Sequence, residues 1–344
     1  MQAGAVDVTA RRGNSGERGP RTEAGAAPRA VVVRLPDFLG EAVMAEPMLR
    51  ALADAGLRVE AFGRPWCRDL FAGVGVEVEG IDGAFAELGG YRRARARWAV
   101  TTRSSFTTAA AMRLAGLRVV GRRGNLRSPL LARALSRRFR GHRIDGYLEL
   151  GLATVEAALG RRGPVRDRPA APRSVATGDQ RDEAVRRLEA EGVRPPFVMA
   201  CPTANHPDGS QFKLWPGFPA MLRRMVDAGT EVVACPGRGE TAWYRDIPGG
   251  VRVLEDVGMG CLVGMVSLAE AMISNDTGPA HLAAALGLPT LTVFGDTDHR
   301  RYEPRGPRAL RVGALGAWPE LEEVWSAWLA ERARSAPGSR LGMT

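Results

Sequence analysis

Short apolar runs and helical patterns alternate along the first half of the chain. Residues 30–35 form a β-branched run, followed by a Pro/Asp/Gly loop, a helical pattern from about Ala42 to Ala55, and a second apolar run over 57–62. The alternation continues through a strand at 98–100 and a helix over 107–114. Runs that are apolar throughout are typical of strands covered on both faces, as in sheets whose parallel strands are joined by helices. The pattern therefore predicts an open parallel sheet.

The alternation begins again after a segment at 161–173 that is dense in Arg, Pro and Gly and has little to bury. We expect this segment to be a linker. One helix is predicted to begin near Asp179 and another to cover 218–228. Strands are predicted, in order, at 197–201, 231–234, 262–265, 271–274 and 290–294. The whole pattern indicates an α/β protein with two Rossmann-like domains, each built on a parallel sheet.

The two ends of the chain differ from these domains. Residues 1–28 are rich in Gly, Ala, Arg and Ser and lack apolar periodicity, so we expect a disordered leader. The predicted domains then cover 29–165 and 166–312. Apolar side chains recur at helical spacing from Trp318 to Leu329, which predicts a terminal helix within 313–335 that packs across the two domains.

Composition supports a folded protein of two domains. A chain of 344 residues can bury a core in each of two domains, and 45% apolar with 25% charged residues is typical of globular proteins. No apolar run reaches the roughly 18–20 residues of a membrane span, and the N-terminus lacks an apolar signal segment, so we expect a cytoplasmic protein. The four cysteines show no C-x-x-C spacing, which favours reduced thiols over disulfides and predicts no metal site.

Charge points to an anionic partner without choosing among several. The net charge of +10 is compatible with nucleic acid, an acidic membrane surface or a phosphorylated substrate. Nucleic-acid binding usually interleaves aromatic with basic residues, whereas aromatics are only 6% here, so we predict no nucleic-acid partner. No predicted strand is followed by G-x-G-x-x-G, which argues against a nicotinamide-dependent dehydrogenase.

The most informative stretch of the second half lies between two predicted strands, at Ser274–Gly287. It contains Asp276, Thr277 and Gly278 at a helix start, with His281 about one turn into the helix. The first turn of a helix has unpaired amides and partial positive charge, so these residues suit a diphosphate. Two alternatives stay open: Asp276 or Thr277 as a simple N-cap, and His281 as a satisfied core histidine.

A second polar loop follows the strand at 197–201 and leads towards a helix. It begins near Thr203 and ends in Lys213, which is the only lysine beside 47 arginines. An ammonium group here could bind a phosphate. A solvated loop lysine is the alternative, although arginine serves as the cation everywhere else in the chain.

These stretches, in order, resemble motifs of the lipopolysaccharide heptosyltransferase family, and more closely its heptosyltransferase II branch. Residues 34–44 resemble the opening loop of the family, and 104–123 its second N-terminal signature. Residues 213–216, Lys-Leu-Trp-Pro, are similar to its Lys-Arg-Trp-Pro, and 276–281 with 294–298 to its donor signature.

The resemblance implies a GT-B fold with an interdomain cleft, in which the first domain binds the acceptor and the second binds the donor. It implies an inverting, metal-independent transfer of heptose from ADP-heptose to an anionic glycolipid of the lipopolysaccharide inner-core type, with no cofactor. A peripheral contact with the inner membrane surface is left open. By motif correspondence Lys213, Thr277 and Gly278 would hold the diphosphate, and Asp276 and His281 would shape that site. Thr203 joins them as a donor-binding candidate.

One position departs from the family pattern. The family has Asp as general base after the loop glycine, whereas this chain has Glu41. Both are carboxylates, but the extra methylene moves the charge by roughly 1 Å, and a base must lie within hydrogen-bond reach of its proton. Asp37 is a possible substitute, and either acid could merely favour the start of the helix. A catalytically silent or diverged member, which binds nucleotide sugar but uses another sugar or acceptor, is therefore the alternative.

The first domain also supplies candidates for acceptor binding. Arg34, Arg122 and Arg123 could bind a phosphorylated acceptor, and Ser105 lies in the second signature beside them. The alternative for each arginine is a solvated surface position.

Overall fold

The computed structural model describes residues 29–161, 171–203, 213–237, 239–245 and 247–335. The predicted leader and most of the predicted linker lie outside these ranges. The strands are β1 Ala30–Arg34, β2 Arg58–Gly63, β3 Val78–Gly80, β4 Ala96–Thr101, β5 Arg118–Arg122, β6 Leu131–Leu135, β7 Val198–Cys201, β8 Val232–Ala234, β9 Val251–Val253, β10 Ala271–Asn275, β11 Thr290–Val293 and β12 Ala309–Val312. The α-helices are α1 Leu39–Met44, α2 Glu46–Asp54, α3 Cys67–Phe71, α4 Ala84–Arg93, α5 Phe106–Leu114, α6 Arg143–Leu159, α7 Gly178–Ala190, α8 Phe218–Asp227, α9 Met259–Leu268, α10 Gly278–Ala285, α11 His299–Tyr302 and α12 Leu321–Ser335.

The strands form two six-stranded sheets in which every pairing is parallel. The first sheet has the order β3-β2-β1-β4-β5-β6, and the second has the order β12-β11-β10-β7-β8-β9. Counted from its own first strand, each sheet has the strand order of the doubly wound Rossmann fold. The prediction of two Rossmann-like α/β halves is confirmed.

The central strands are buried on both faces, which explains their uninterrupted apolar runs. Val31, Val32 and Val33 of β1 are all fully buried between helices on either side of the first sheet. One apolar cluster extends over both halves, since it contains Val31 together with Met272 of β10. The junction between the halves is therefore part of the core.

Two local predictions need correction. The helix expected over Ala42–Ala55 is two helices, α1 and α2, which meet at Ala45 just before Pro47. The predicted strand at 262–265 is wrong, because these residues lie inside α9. That helix is apolar on nearly all sides and packs closely on α7. The close packing is seen at Gly264, where an added Cβ would lie 2.0 Å from the Gln180 carbonyl oxygen. A short run without a polar face has no helical period to read.

The terminal helix α12 packs on the second half. Its Val324 and Trp328 are buried in the apolar cluster of the second sheet, which also contains Met221 of α8 and Leu291 of β11. The tail helix predicted from the apolar spacing is present, and the packing seen is against elements of the second half, including α8, β11 and β12.

Candidate functional site

Each sheet reverses its strand order beside its first strand, and ligands of open α/β sheets bind at the carboxyl ends of strands at such a point. In the first sheet this point lies between β1 and β4, and in the second between β7 and β10. The loops that follow β1 and β10 lead directly into α1 and α10. Six of the twelve predicted site residues follow these two strands: Asp37, Glu41, Asp276, Thr277, Gly278 and His281.

The first turns of α1 and α10 contact each other across the two halves. A Cβ added at Gly40 would lie 2.9 Å from His281 Cδ2 and 3.3 Å from Gly278 Cα. A Cβ at Gly278 would in turn lie 2.8 Å from Leu39 Cβ and 3.1 Å from the Gly40 nitrogen. Glycine at both positions therefore lets the residue next to Gly40, Glu41, lie close to the helix start predicted to bind the donor.

Lys213 and Asp276, which the sequence analysis assigned to one donor site, are in contact. Lys213 Nζ lies 3.0 Å from Asp276 Oδ2, and the same oxygen accepts a hydrogen bond of 2.9 Å from Thr297 Oγ1. The carboxylate is buried at 5% exposure, whereas Lys213 is 28% exposed. The ammonium thus faces the open side with donor capacity left for an anion.

Thr277 occupies the N-cap position of α10 without capping it. Its side chain makes no cap hydrogen bond to the helix; its hydroxyl lies 2.8 Å from Ser274 Oγ and donates to Cys201 Sγ at 3.5 Å. The N-cap interpretation of Thr277 is therefore wrong. The first-turn amides of α10 lack a side-chain cap, as an anion-binding helix start requires.

His281 is buried at 4% exposure one turn into α10. Among the described residues its Nδ1 has no hydrogen-bond partner, and its Nε2 lies 4.0 Å from Asp276 Oδ1. Burial lowers the pKa of His281 to about 4, although Asp276 opposes the shift, so the ring is neutral at pH 7. Nothing described satisfies Nδ1, which disfavours the interpretation of His281 as a satisfied core histidine.

We expect acid to destabilise the protein through His281 between pH 6.5 and 4. In this window the unfolded state binds a proton at His281 and the folded state does not, so stability falls as pH falls. Urea unfolding at pH 7, 6 and 5 measures the effect. The loss should be smaller in His281→Gln than in the wild-type protein, and equal losses would contradict the assignment.

Thr203 is also buried, but its hydroxyl is already bonded within the protein. It donates to Glu240 Oε2 at 3.0 Å and lies 3.0 Å from the Tyr244 hydroxyl. Glu240 also accepts from the Gly237 amide at 2.8 Å. Thr203 therefore fixes the carboxylate of Glu240 at the carboxyl ends of β7 and β8.

Asp37 and Arg34 belong to one partly buried ionic network at the loop after β1. Arg34 Nε lies 2.9 Å from Glu87 Oε1, and its NH2 lies 2.9 Å from Asp37 Oδ1. The second Asp37 oxygen lies 2.9 Å from Arg103 Nε, and Arg64 is 3.6 Å from the first. Arg34 is 3% exposed. Both side chains thus have partners inside the protein, which favours structural roles over base or acceptor binding.

Glu41 lies in the first turn of α1 and remains accessible. Its Oε1 accepts a hydrogen bond of 2.7 Å from Arg143 NH2, and the two side chains are 29% and 36% exposed. Arg143 also donates from Nε to the Tyr147 hydroxyl at 3.2 Å. Burial first, and then the charge of Glu41, raise the pKa of Tyr147, which keeps the phenol neutral. Of the two predicted acids, Glu41 is the one that faces open space.

A cavity of about 390 Å³ opens beside Glu41 at the carboxyl ends of β4 and β5. Its described lining contains no aspartate or glutamate and eight arginines: Arg122, Arg123, Arg127, Arg137, Arg138, Arg140, Arg143 and Arg301. Arg122 is held by Gly146 O at 2.8 Å and by Glu149, while Arg123 is exposed. The predicted acceptor arginines Arg122 and Arg123 therefore share one basic cavity, and Arg34 does not.

Arg127 lies at the wall of this cavity and is only 2% exposed. It donates to Arg122 O at 2.8 Å and to Arg103 O, but forms no ion pair among the residues that the structure describes. Burial lowers its pKa. A buried cation without a carboxylate partner favours an anionic ligand.

Ser105, the remaining acceptor candidate, is the N-cap of α5. Its hydroxyl accepts from the Thr108 amide at 3.2 Å, which gives the side chain a structural role.

The family model of glycosyltransferase family 9 (heptosyltransferase) matches residues 92–327. The chain belongs to this family. The predicted resemblance is thereby confirmed. The group formed by Lys213, Asp276 and Thr297, the arginine cavity and α10 all lie inside the matched region.

Known members of family 9 resemble the chain to different extents. Lipopolysaccharide heptosyltransferase 3 of Escherichia coli is 30% identical over 129 residues, which cover 35% of this chain. The chain spans just over a third of the length of that relative, 37%. Lipopolysaccharide heptosyltransferase 2 of E. coli K12 is 22% identical over 327 residues, which cover 85% of this chain and 90% of the relative.

Solved structures of family 9 confirm the predicted GT-B fold. The E. coli ADP-heptose lipopolysaccharide heptosyltransferase II superposes with a TM-score of 0.72 at 18% identity, covering 89% of this chain and 98% of the other. The E. coli heptosyltransferase WaaC with ADP gives a TM-score of 0.63 at 17% identity, over 89% and 100% of the two chains.

Three residues of this family 9 site were missed by the sequence reasoning. Arg143, which holds Glu41, is one of 47 arginines and carries no signal of its own. Asn275 ties the donor loops together, since it accepts from the Trp215 amide at 3.2 Å and donates to Pro202 O at 2.6 Å. Glu240 follows a Pro-Gly turn at the end of a strand, and that spacing could have marked it.

Within the described ranges, no three His, Cys, Asp or Glu side chains are grouped to hold a metal ion. No helix in the part of the chain that the structure describes is long and apolar enough to cross a membrane.

Proposed function

We propose that this family 9 glycosyltransferase moves a heptose from ADP-heptose to an anionic glycolipid of the lipopolysaccharide inner-core type. The observation that carries the proposal is the contact between α1 and α10. It brings the first turn of α1, which carries the accessible carboxylate of Glu41, against an uncapped helix start, and Arg143 links that carboxylate to a basic cavity. The names of the relatives, which include ADP-heptose lipopolysaccharide heptosyltransferase II, support the choice of donor and acceptor.

The donor side is suited to a diphosphate. Lys213 supplies a partly exposed positive charge, and the amides of Gly278 and its neighbours supply oriented donors at the positive end of α10. The carboxylate of Asp276 binds Lys213 and Thr297 and so positions the ammonium group. Because the carboxylate is engaged there, the partial positive charge at the start of α10 remains available to the diphosphate. Both groups would stabilise the charge that develops on the departing diphosphate.

The acceptor side is suited to a phosphorylated or carboxylated glycolipid head. Of the eight arginines in the described lining, Arg122 and Arg143 pair with Glu149 and Glu41, and the other six form no ion pair among the described residues, which favours an anion from outside the protein. Arg143 belongs both to this cavity and to the pair with Glu41. A bound acceptor anion would therefore lie one side chain away from the proposed base.

The proposed chemistry is a single inverting displacement. The acceptor oxygen forms a bond to the anomeric carbon while the bond from that carbon to the β-phosphate oxygen breaks, and its electron pair leaves with ADP. Glu41 takes the proton of the acceptor hydroxyl. We propose that the step needs no metal ion and no cofactor, that the protein works in the cytoplasm, and that nucleic acid is not a partner.

A diverged or silent member that binds nucleotide sugar is the second candidate. It is favoured by the Glu in place of Asp at position 41 and by the ion pair that occupies its carboxylate. In this case the donor side would still bind ADP, but transfer to an inner-core acceptor would be absent.

Turnover with ADP-heptose and an inner-core glycolipid tests the two candidates. We expect ADP release that depends on both substrates, and a product whose anomeric configuration by NMR is opposite to that of the donor. ADP-heptose that protects against thermal unfolding but gives no product would favour the silent member. Protection by another nucleotide sugar alone would contradict the proposed donor.

A further inference from the structure

Exposed apolar side chains collect at one edge of the first sheet. Phe106, 47% exposed, begins the helix after β4, and Leu126, 87% exposed, lies in the loop after β5. Because the strands are parallel, both follow carboxyl ends and share the edge where the arginine cavity opens. Their loops touch, since Asn125 Nδ2 donates to Ser104 O at 2.7 Å. Single exposed apolar residues are ordinary, but adjacent ones at a site are not.

The backbone keeps Leu126 outside at a cost in strain. Asn125 and Leu126 have φ angles of 49° and 57°, in the left-handed region that leucine seldom adopts. Arg127 Nε anchors the far side of this loop on Arg122 O at 2.8 Å. A strained loop that directs a leucine into solvent gains no burial within this chain. The strain therefore points to a contact between Leu126 and something outside the chain.

The positive charge of the chain is concentrated around the same edge. Residues 91–144 contain fifteen arginines and no aspartate or glutamate. This segment alone carries more positive charge than the +10 of the whole chain, so the remainder is net acidic. The segment covers β4, α5, β5 and β6, which form one end of the first sheet.

Four exposed arginines lie on the loop of Leu126 and on the segment that contacts this loop. Arg123 precedes the strained loop, and Arg137, Arg138 and Arg140 lie in the segment after β6. The two segments are in contact, because a Cβ added at Gly124 would lie 3.2 Å from Arg137 Nε. Apolar side chains framed by arginines match an anionic lipid surface, with acyl chains below a layer of phosphates.

We propose that the basic-apolar edge, formed by Phe106, Leu126, Arg123, Arg137, Arg138 and Arg140, docks on an anionic bilayer. This deepens the proposed function, because it places the mouth of the acceptor cavity at the surface from which a glycolipid head would enter. A second copy of the chain is disfavoured, since two such edges carry like charge. Nucleic acid would use the arginines but gives no role to an exposed Leu126.

Vesicle co-sedimentation of the full chain tests the proposal. We expect binding to vesicles of phosphatidylcholine mixed with phosphatidylglycerol, and little binding to phosphatidylcholine alone. Leu126→Asn with Phe106→Ser should lower the partition coefficient about tenfold or more. Arg137→Gln with Arg138→Gln should lower it by about fivefold for each arginine.

The chain provides a matched control. Leu114 lies at the opposite end of α5, where it is 71% exposed away from the basic-apolar edge, so Leu114→Ser should bind vesicles like the wild-type protein. Asn tolerates left-handed backbone better than Leu, so Leu126→Asn should keep or raise the melting temperature while weakening binding. Equal weakening by Leu114→Ser, or binding that depends on arginines alone and transfers to nucleic acid, would overturn the proposal.

Docking of the basic-apolar edge on a bilayer and transfer of heptose can be tested separately. Vesicle binding requires no donor sugar, so docking with no turnover of ADP-heptose would leave the basic-apolar edge intact and contradict the function. Turnover of a soluble acceptor fragment by a protein that ignores anionic vesicles would leave the function intact and overturn the docking surface.

Discussion

Glu41→Gln is expected to lower the turnover number by about 10² to 10⁴, because a general base contributes a factor of this size. The change keeps the shape of the side chain and its ability to accept from Arg143, but it removes the capacity to take a proton. Transfer of heptose from saturating ADP-heptose measures the effect. Affinity for ADP should stay close to the wild-type value, since Glu41 lies on the acceptor side of the contact between α1 and α10.

Two further variants separate the base from its neighbours. Glu41→Asp keeps a carboxylate and moves it by roughly 1 Å, so it should retain far more activity than Glu41→Gln. Asp37→Asn tests the substitute acid, and we expect its main effect on stability, because Arg34 and Arg103 lose a half-buried charged partner. Wild-type turnover by Glu41→Gln, or a collapse of turnover in Asp37→Asn without loss of stability, would assign the proton to Asp37.

The fold was predictable where strands are buried on both faces. The β-branched run of β1 has no polar position, because Val31–Val33 pack between two layers of helices. Edge strands gave no comparable signal: β3 and β9 have three residues each and are only partly covered. The run at 262–265 was misread for the opposite reason, since α9 is covered on nearly every side and shows no polar face.

The candidate site was predictable as separate motifs and not as a set of contacts. Lys213 stood out by its uniqueness and Asp276 by its helix start, and the structure joins them at 3.0 Å. The partner of Glu41, Arg143, is 102 positions away and indistinguishable from other arginines in sequence. In sequence, Arg34 is a candidate for ligand binding. The structure shows that its charge is already compensated by the ion pair with Glu87, which the sequence does not reveal. Long-range pairing among like residues requires the fold.

Lys213→Ala is expected to raise the dissociation constant for ADP by about 10- to 100-fold. A hydrogen bond to a charged group contributes about 1.5–3 kcal/mol, and each 1.4 kcal/mol is a factor of ten in affinity. The change also leaves Asp276, at 5% exposure, without its cation beside the incoming diphosphate. Isothermal titration calorimetry with ADP measures the affinity. Arg224→Ala on α8, whose arginine pairs with Glu322 at the surface, is the control and should bind ADP normally.

The double variant Lys213→Ala with Asp276→Asn decides whether the lysine binds the donor or only balances a buried acid. If Lys213 acts solely as the partner of Asp276, removing both charges should restore stability and ADP affinity together. If its ammonium binds the diphosphate, stability should recover while ADP affinity stays low. Lys213→Arg should keep part of the affinity in this second case, because the positive charge remains. Full recovery of ADP binding in the double variant would remove Lys213 from the donor site.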